Sequence, residues 1–309
     1  MSEKDVINPY GPATVIFNKR AGKGNKGDGI ERLLAGTGLD HEIKVTEGKG
    51  HATELAAAAV GRGSKYLIAV GGDGTINEVV NGLMGPEGPI DPECVVGVIP
   101  AGSGSDFIRT FGLPQRPEDA VQFLLGEQYF QVDVGRLTCT APTGDQVTRY
   151  FANIAEAGLG GDVVRRAEGL PRWLGRVRYL LSFWMTFMTF KSGQGTVALD
   201  KRSYEGRVTN LVVANGQFFG GGMRIAPKAH PADGKFDVLI QKGSKKDWLT
   251  GITKVYKAEH LPSPMIKEHH SAKVELRSNP ELTVEADGEV LGKTPATFEI
   301  VKDAFRLKI

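Results

Sequence analysis

The segment Tyr66 to Leu83, YLIAVGGDGTINEVVNGL, leaves the chain few folds to choose from. Tyr66, Leu67, Ile68, Ala69 and Val70 form a short apolar run closed by Gly71 and Gly72, the pattern of a buried strand that ends in a sharp turn. Ile76, Val79, Val80 and Leu83 then recur at i, i+3, i+4 and i+7, one apolar stripe of a helix that stops before Gly85-Pro86. Strand, glycine turn and helix in direct succession predict an α/β unit built on a parallel sheet.

That arrangement has a chemical use. A helix N-terminus presents unpaired N–H groups and partial positive charge, and glycines let a phosphate approach the backbone. Asp73 stands against this, because a carboxylate repels a phosphate unless it binds Mg²⁺ or takes a proton from an incoming hydroxyl. The bland alternative is a plain helix cap and a plain turn. Thr75 and Asn77 add a hydroxyl and an amide that suit either reading.

At 309 residues the chain has room for two domains, and a 40% hydrophobic, 24% charged composition is that of a globular protein. A net charge of +2 gives no argument for nucleic acid as a partner. The two cysteines, Cys94 and Cys139, are far apart in sequence and suggest no disulfide framework, which fits a reducing, cytoplasmic setting. The first residues, MSEKDVINPYGP, lack the apolar core of a signal peptide. Tyr179 to Phe190 is the longest apolar stretch, roughly 12 residues where a bilayer span needs roughly 20.

Other strands and helices follow in alternation. Ala13 to Phe17 reads as a strand that runs into the basic, glycine-bearing loop Asn18-Lys19-Arg20-Ala21-Gly22, a candidate phosphate cradle or a solvated loop. His41 to Thr46 reads as a second strand, His51 to Val60 as an alanine-rich helix, and Val95 to Ile99 as a strand. Pro117 to Leu125 predicts an amphipathic helix with proline and acids in its first turn. Beyond Gly126 the pattern becomes β: strands are expected at 131–137, 147–154, 195–199, 208–214, 236–241, 272–277 and 282–286, then at 297–300 and 305–309. Two helical stretches interrupt them. Asp162 to Phe190 carries Arg165, Arg166, Arg172, Arg176 and Arg178 beside Phe183, Trp184, Phe187 and Phe190, either a core helix with a solvated basic face or a surface for an anionic membrane or acyl chain. Lys242, Lys245, Lys246, Trp248, Lys254 and Lys257 read mainly as solvated. His269 and His270 lack partners at metal-ligand spacing and read as surface residues. Gly288 to Thr294, GEVLGKT, imitates a P-loop but has three residues between its glycines where four are required.

Four motifs in order tie these parts together. Gly71-Gly72-Asp73-Gly74-Thr75 with Asn77-Glu78-Val79 comes first, and Pro100-Ala101-Gly102-Ser103-Gly104-Ser105-Asp106-Phe107-Ile108-Arg109 second. Ala226 to Val238, with Asp233-Gly234 and Asp237, is third, and Asp287-Gly288-Glu289 is fourth. Together they resemble the diacylglycerol kinase catalytic-domain family, which includes bacterial lipid kinases and the sphingosine kinases. The resemblance departs at Lys19 and Ala21, where the family has proline and serine, and at Ser105, where it has asparagine.

The resemblance implies an N-terminal α/β domain with a phosphofructokinase- or NAD-kinase-like parallel sheet, residues 1–128, joined by a returning segment at about 292–309. It implies a mainly-β C-terminal sandwich, residues 129–291, that takes a lipid. Its implied reaction moves the γ-phosphate of ATP to a lipid hydroxyl such as that of diacylglycerol, in the cleft between the domains. Nucleotide contacts would come from Asn18, Lys19, Arg20, Ala21, Gly22, Thr46, Gly72, Asp73, Gly74, Thr75, Ile76, Asn77, Glu78 and Ser103. Glu289 would accept the hydroxyl proton, with Asp73 the other candidate base. A structural Mg²⁺ would be held by the Asp233 carboxylate and the carbonyls of His230 and Lys235. The expected partners are ATP, the lipid alcohol and, peripherally, a membrane surface, with a homodimer allowed. The alternatives are an NAD kinase-like phosphotransferase and a degenerate kinase that binds nucleotide or lipid as a regulator.

Overall fold

The computed structural model describes residues 8–21, 27–102, 104–171, 174, 177–190, 192–243 and 254–309. The chain divides into two compact units. One comprises residues 1–134, 220–222 and 301–309, the other residues 135–219 and 223–300.

In the first unit the elements are β1 (Ala13–Phe17), α1 (Gly27–Gly36), β2 (His41–Val45), α2 (His51–Gly61), β3 (Tyr66–Gly71) and α3 (Asp73–Leu83). A two-residue pair, β4 (Met84–Gly85) and β5 (Gly88–Pro89), precedes β6 (Val95–Pro100), α4 (Asp106–Thr110), α5 (Pro117–Ala120) and the start of β7 (Tyr129–Thr140). The sheet runs in the order β6, β3, β1, β2, all parallel, and the end of the chain's last strand pairs in parallel with β6 at Arg306 and Leu307. Every residue of β1, β3 and β6 is buried, which is why these strands are continuously apolar rather than alternating. Val15, Phe17, Leu34, Ile68, Val70, Val95 and Ile99 belong to one core cluster, each such side chain contributing about 1.5–3 kcal/mol on burial.

Helix α3 packs against α2 at a close crossing, where a Cβ on Gly82 would stand 2.4 Å from the Thr53 carbonyl oxygen. The helix expected over Pro117 to Leu125 is shorter: α5 gives way to a 3-10 turn at Val121–Leu124. Tyr66 Oη donates to the Leu124 carbonyl at 2.8 Å and anchors that turn to the core.

The second unit continues β7 and adds β8 (Gln146–Phe151), β9 (Ile154–Gly158), α6 (Leu159–Glu168), α7 (Val177–Thr189), β10 (Gly193–Leu199), β11 (Ser203–Val208) and β12 (Asn210–Ala214). β13 (Phe236–Gln241), β14 (Ile266–Ser271), β15 (Lys273–Asn279), β16 (Thr283–Ala286) and β17 (Glu289–Lys308) complete it, with β17 running on into the first unit from Val301. One antiparallel layer has the order β14, β13, β12, β9, β16, β17; β15, β10 and β11 form a further antiparallel run, and β7 pairs with β8. Their inner faces meet in a core that includes Phe151, Val197, Val213, Phe236, Leu276, Val284 and Phe298, a β sandwich in which Phe151 and Phe236 stack at 5.6 Å.

Several boundaries differ from expectation. The stretch Asp162 to Phe190 is two helices, since Gly169 ends α6 and Pro171 follows. The stretch 208–214 is two strands that meet at Thr209. The two short strands expected at 297–300 and 305–309 are parts of the single strand β17. Arg172, Arg176, Lys245, Lys246 and Trp248 lie outside the described residues.

Candidate functional site

In the first unit, the carboxyl ends of four neighbouring parallel strands carry the predicted loops, the edge at which open α/β sheets bind ligands. Asn18 follows β1, and its side-chain amide donates to Thr75 Oγ1 at 3.0 Å. The Asn18 side-chain oxygen accepts the Arg20 N–H at 3.0 Å and its carbonyl accepts the Ala21 N–H at 3.0 Å, so the loop is folded on Asn18. Lys19 Nζ sits 3.3 Å from Glu31. Thr46 follows β2, with its N–H on the Phe17 carbonyl at 2.9 Å. Gly22 and Ser103 lie outside the described residues.

The two glycine loops touch backbone to backbone. A Cβ on Gly102 would lie 2.4 Å from the Gly72 Cα, and the Ala101 N–H donates to the Gly71 carbonyl at 2.8 Å. A Cβ on Gly71 would lie 2.3 Å from Thr75 Oγ1, so only glycine leaves room for that hydroxyl. Asp73 is the first residue of α3, and the Phe107 N–H at the start of α4 donates to its Oδ1 at 3.1 Å. Burial raises the Asp73 carboxyl above its ordinary value; the Phe107 N–H pulls it down and the nearby Asp106 charge pushes it up. Asp106 is buried, and its Oδ2 accepts the N–H of Gly221, from the segment Gly220–Gly222 that folds with this unit, at 2.6 Å.

Ile76, Thr75 and Asn77 are buried, with the Thr75 and Ile76 N–H groups on the Gly72 carbonyl, whereas Gly74 is exposed. Glu78 takes a different position. Its two carboxylate oxygens accept the N–H groups of Gly50 (2.9 Å) and Ala52 (3.2 Å) at the start of α2, where an acidic group complements the helix dipole.

In the second unit, β16 and β17 are joined by Asp287 and Gly288, both at positive φ (46° and 84°), as a two-residue hairpin turn requires. The Asp287 carboxylate accepts three main-chain N–H groups, from Ala152 (2.9 Å), Asn153 (3.2 Å) and Ile154 (2.9 Å). Glu289 begins β17, and Arg149 of β8 donates to its Oε2 at 3.1 Å. The anchoring role of Asp287 escaped the sequence, which marks the D-G turn without showing what lies behind it.

The third motif forms the turn before β13. The His230 carbonyl accepts the N–H of Ala232 (2.8 Å) and of Asp233 (3.3 Å), and Asp233 Oδ1 accepts the Lys235 N–H at 3.0 Å. These are hard oxygen donors of the kind Mg²⁺ takes, brought together in one turn. No cluster of three His, Cys, Asp or Glu side chains suited to a metal occurs among the described residues, so a cation here would rest on one carboxylate, carbonyls and water. His270 is exposed, as expected of a surface residue, and lies across from Asp237, with Nδ1 3.5 Å from Oδ2.

Comparison with known proteins agrees with this layout. Residues 12–137 match the family described as diacylglycerol kinase catalytic domain, and residues 153–309 match the YegS C-terminal NAD kinase beta sandwich-like domain. The chain belongs to the diacylglycerol kinase catalytic-domain family, with a YegS-type C-terminal domain. Family membership supports a kinase and implies ATP as co-substrate. The chain is 28% identical to a Bacillus subtilis (strain 168) protein named "Diacylglycerol kinase" over 297 residues, 93% of this chain and 92% of that one. It is likewise 28% identical over 275 residues, 87% of each, to an Alcanivorax borkumensis protein named "Probable lipid kinase YegS-like". A solved Bacillus anthracis str. Sterne diacylglycerol kinase superposes with a TM-score of 0.72 at 22% identity, covering 97% of each chain, a likeness of fold.

Proposed function

We propose that this kinase transfers the γ-phosphate of ATP to the hydroxyl of a lipid such as diacylglycerol. The observation that carries the reading is the direct packing of the two glycine loops, with the Phe107 N–H fixing the Asp73 carboxylate at the helix start. Phosphoryl transfer depends on positioning and charge neutralisation more than on covalent chemistry. In this reading the loops at Asn18, Gly72–Asn77 and Ser103 seat the nucleotide, and Asp73 holds Mg²⁺. When bound, that ion would neutralise phosphate charge. Glu289, hydrogen-bonded by the Arg149 guanidinium, accepts the proton of the lipid hydroxyl. The Asp233 turn is proposed as a second, structural Mg²⁺ site.

The lipid half of the reading is supported by α7. Leu181, Trp184, Met185 and Met188 are exposed there, Met188 to 71%. Arg166 of α6 donates to Thr189 Oγ1 at 3.0 Å and brings a cation beside them. Apolar residues rimmed by arginine suit peripheral contact with an anionic membrane surface. No helix among the described residues is long and apolar enough to span a membrane.

The test is transfer of labelled γ-phosphate from ATP with Mg²⁺ to diacylglycerol, monoacylglycerol, ceramide, sphingosine, phosphatidylglycerol and NAD. Labelled lipid from the wild type, lost in Asp73→Asn and Glu289→Gln, supports the reading. Labelled NAD and no labelled lipid replaces it with an NAD kinase-like activity. ATP binding with no labelled product from any acceptor replaces it with a regulatory, degenerate kinase.

A further inference from the structure

Glu156 of β9 and Glu285 of β16 are each 3% exposed and stand directly opposite one another across an antiparallel pair. That register brings their Cβ atoms to about 4.5–5.5 Å. Ala155, Ala157, Val284 and Ala286 point into the sandwich core, so both carboxyls point to the other face of the layer, against α6. The start of α6 leaves room for them: a Cβ on Gly160 would lie 2.2 Å from Glu156 Oε2. Asn210 Nδ2 donates to Glu156 Oε1 at 2.8 Å, and its side-chain oxygen accepts the Gly160 N–H at 3.0 Å. Glu285 Oε2 accepts the N–H of Gly288, the residue before Glu289, at 2.8 Å.

We propose that Glu156 and Glu285 act as a buried carboxyl pair that sets the 287–289 turn and presents the Glu289 carboxylate, and are therefore positioning residues for the transfer. This rests on the role proposed for Glu289. The turn is held from two sides, by Asp287 on the N–H groups of Ala152, Asn153 and Ile154 and by Glu285 on Gly288. Among the described residues no cation pairs with Glu156 or Glu285. Two adjacent buried carboxyls without a counter-ion retain a proton on one of them, because ionising both places like charges in a low-dielectric site.

The surroundings reinforce that. β12 brings neutral Asn210, the turn brings Asp287, α6 brings Asp162 with Arg165 3.0 Å from it, and β17 sets the apolar Val290 opposite Glu285. Burial pushes Glu156 up to about 7. Burial, then the Glu156 charge, pushes Glu285 well above its ordinary value. Loss of the pair's proton sets the two carboxylates against each other and strains the turn that Glu285 holds, a repulsion that the Gly288 N–H, which favours the ionised form of Glu285, offsets only in part. The folded state binds a proton that the unfolded chain has released, so the pair's stabilisation is complete below the ordinary glutamate value of 4.5 and declines as pH rises through about 7.

The experiment uses the full chain as wild type, Glu156→Gln, Glu285→Gln, Glu285→Leu and Glu289→Gln. Transfer from ATP to dioleoylglycerol in mixed micelles and the thermal midpoint are measured from about pH 5 to about pH 9. The wild type should lose kcat above about pH 7 with the KM for ATP steady. Both Gln variants keep a hydrogen-bond acceptor but cannot ionise; they should shift the loss to higher pH and flatten the decline of the thermal midpoint. Glu285→Leu cannot accept the Gly288 N–H and should lose kcat about 100-fold, a loss that glutamine at 285 avoids. Superimposable pH profiles and thermal slopes in the wild type and both Gln variants overturn the proposal. If Glu289→Gln stays active while the thermal slopes differ, the role of Glu289 is what fails and the proton-holding pair stands.

Discussion

The main-chain N–H of Phe107 donates to the carboxylate of Asp73 at 3.1 Å, joining the first residue of α3 to the second residue of α4. One hydrogen bond thus links the two loops that the sequence marks separately. It also leaves a carboxylate in a buried place where its charge is costly, an arrangement that fold stability does not require.

Replacing Asp73 with asparagine should therefore separate stability from activity. The amide oxygen still accepts the Phe107 N–H, while the charge is gone. Because burial raises the folded-state value, the wild type loses stability as pH rises from the ordinary value of 3.8 through the folded one. Asp73→Asn should unfold at a higher temperature than the wild type at neutral pH, with the gap closing toward about pH 4, where both carry no charge at this position. Transfer should fall at least about 100-fold. Thermal scans across pH beside a kinase assay read both effects.

Ser105 sits at φ 58°, ψ 33°, the left-handed region, at the N-cap of α4. Asparagine tolerates that region better than serine, and it is the residue the family resemblance leads one to expect at this place in the loop. Ser105→Asn should stabilise the first unit by about 0.5–1 kcal/mol, measured as a raised urea midpoint with an unchanged slope.

Glu78 holds the start of α2 rather than only serving the loop in which it was found. Glu78→Ala leaves the Gly50 and Ala52 N–H groups without their acceptor, and should cost about 1–2 kcal/mol in urea unfolding followed by far-ultraviolet circular dichroism. Glu78→Gln, which keeps an acceptor but not the charge, should cost less.

The exposed face of α7 gives a prediction of its own. Trp184→Glu and Met188→Glu should each weaken sedimentation with phosphatidylglycerol vesicles about tenfold or more, since burying either side chain contributes about 1.5–3 kcal/mol. The thermal midpoint of Met188→Glu should match the wild type, while Trp184→Glu also gives up ring contacts to Phe183 and Phe187 and should lie slightly lower.

The first unit was legible because its strands are apolar throughout and its loops are punctuated by glycine: Tyr66 to Leu83 reads as strand, turn and helix and folds as β3 and α3. The second unit was legible mainly as β. Strand β14, IKEHHS, gives no strand signal in the sequence because it lies at the end of its layer, where one neighbour suffices and apolar residues are not demanded. The pair Glu156 and Glu285 was hidden for a related reason. A glutamate in an alternating strand reads as a solvent-facing residue, and only the three-dimensional cover supplied by α6 reverses that. Asp287 was visible as a turn residue, but its three N–H partners come from a loop far earlier in the chain.

Strand β17 closes the first unit's sheet by pairing Arg306 and Leu307 with Val95 and Val96 of β6. During synthesis on the ribosome, β6 emerges long before that partner does, and all of residues 135–300 are made in between. The parallel sheet must wait with one margin uncovered while the sandwich is translated. A nascent chain halted before Val301 should then expose the β6 margin to chaperones or to other chains, so the order of translation makes the last strand the step that completes the first unit.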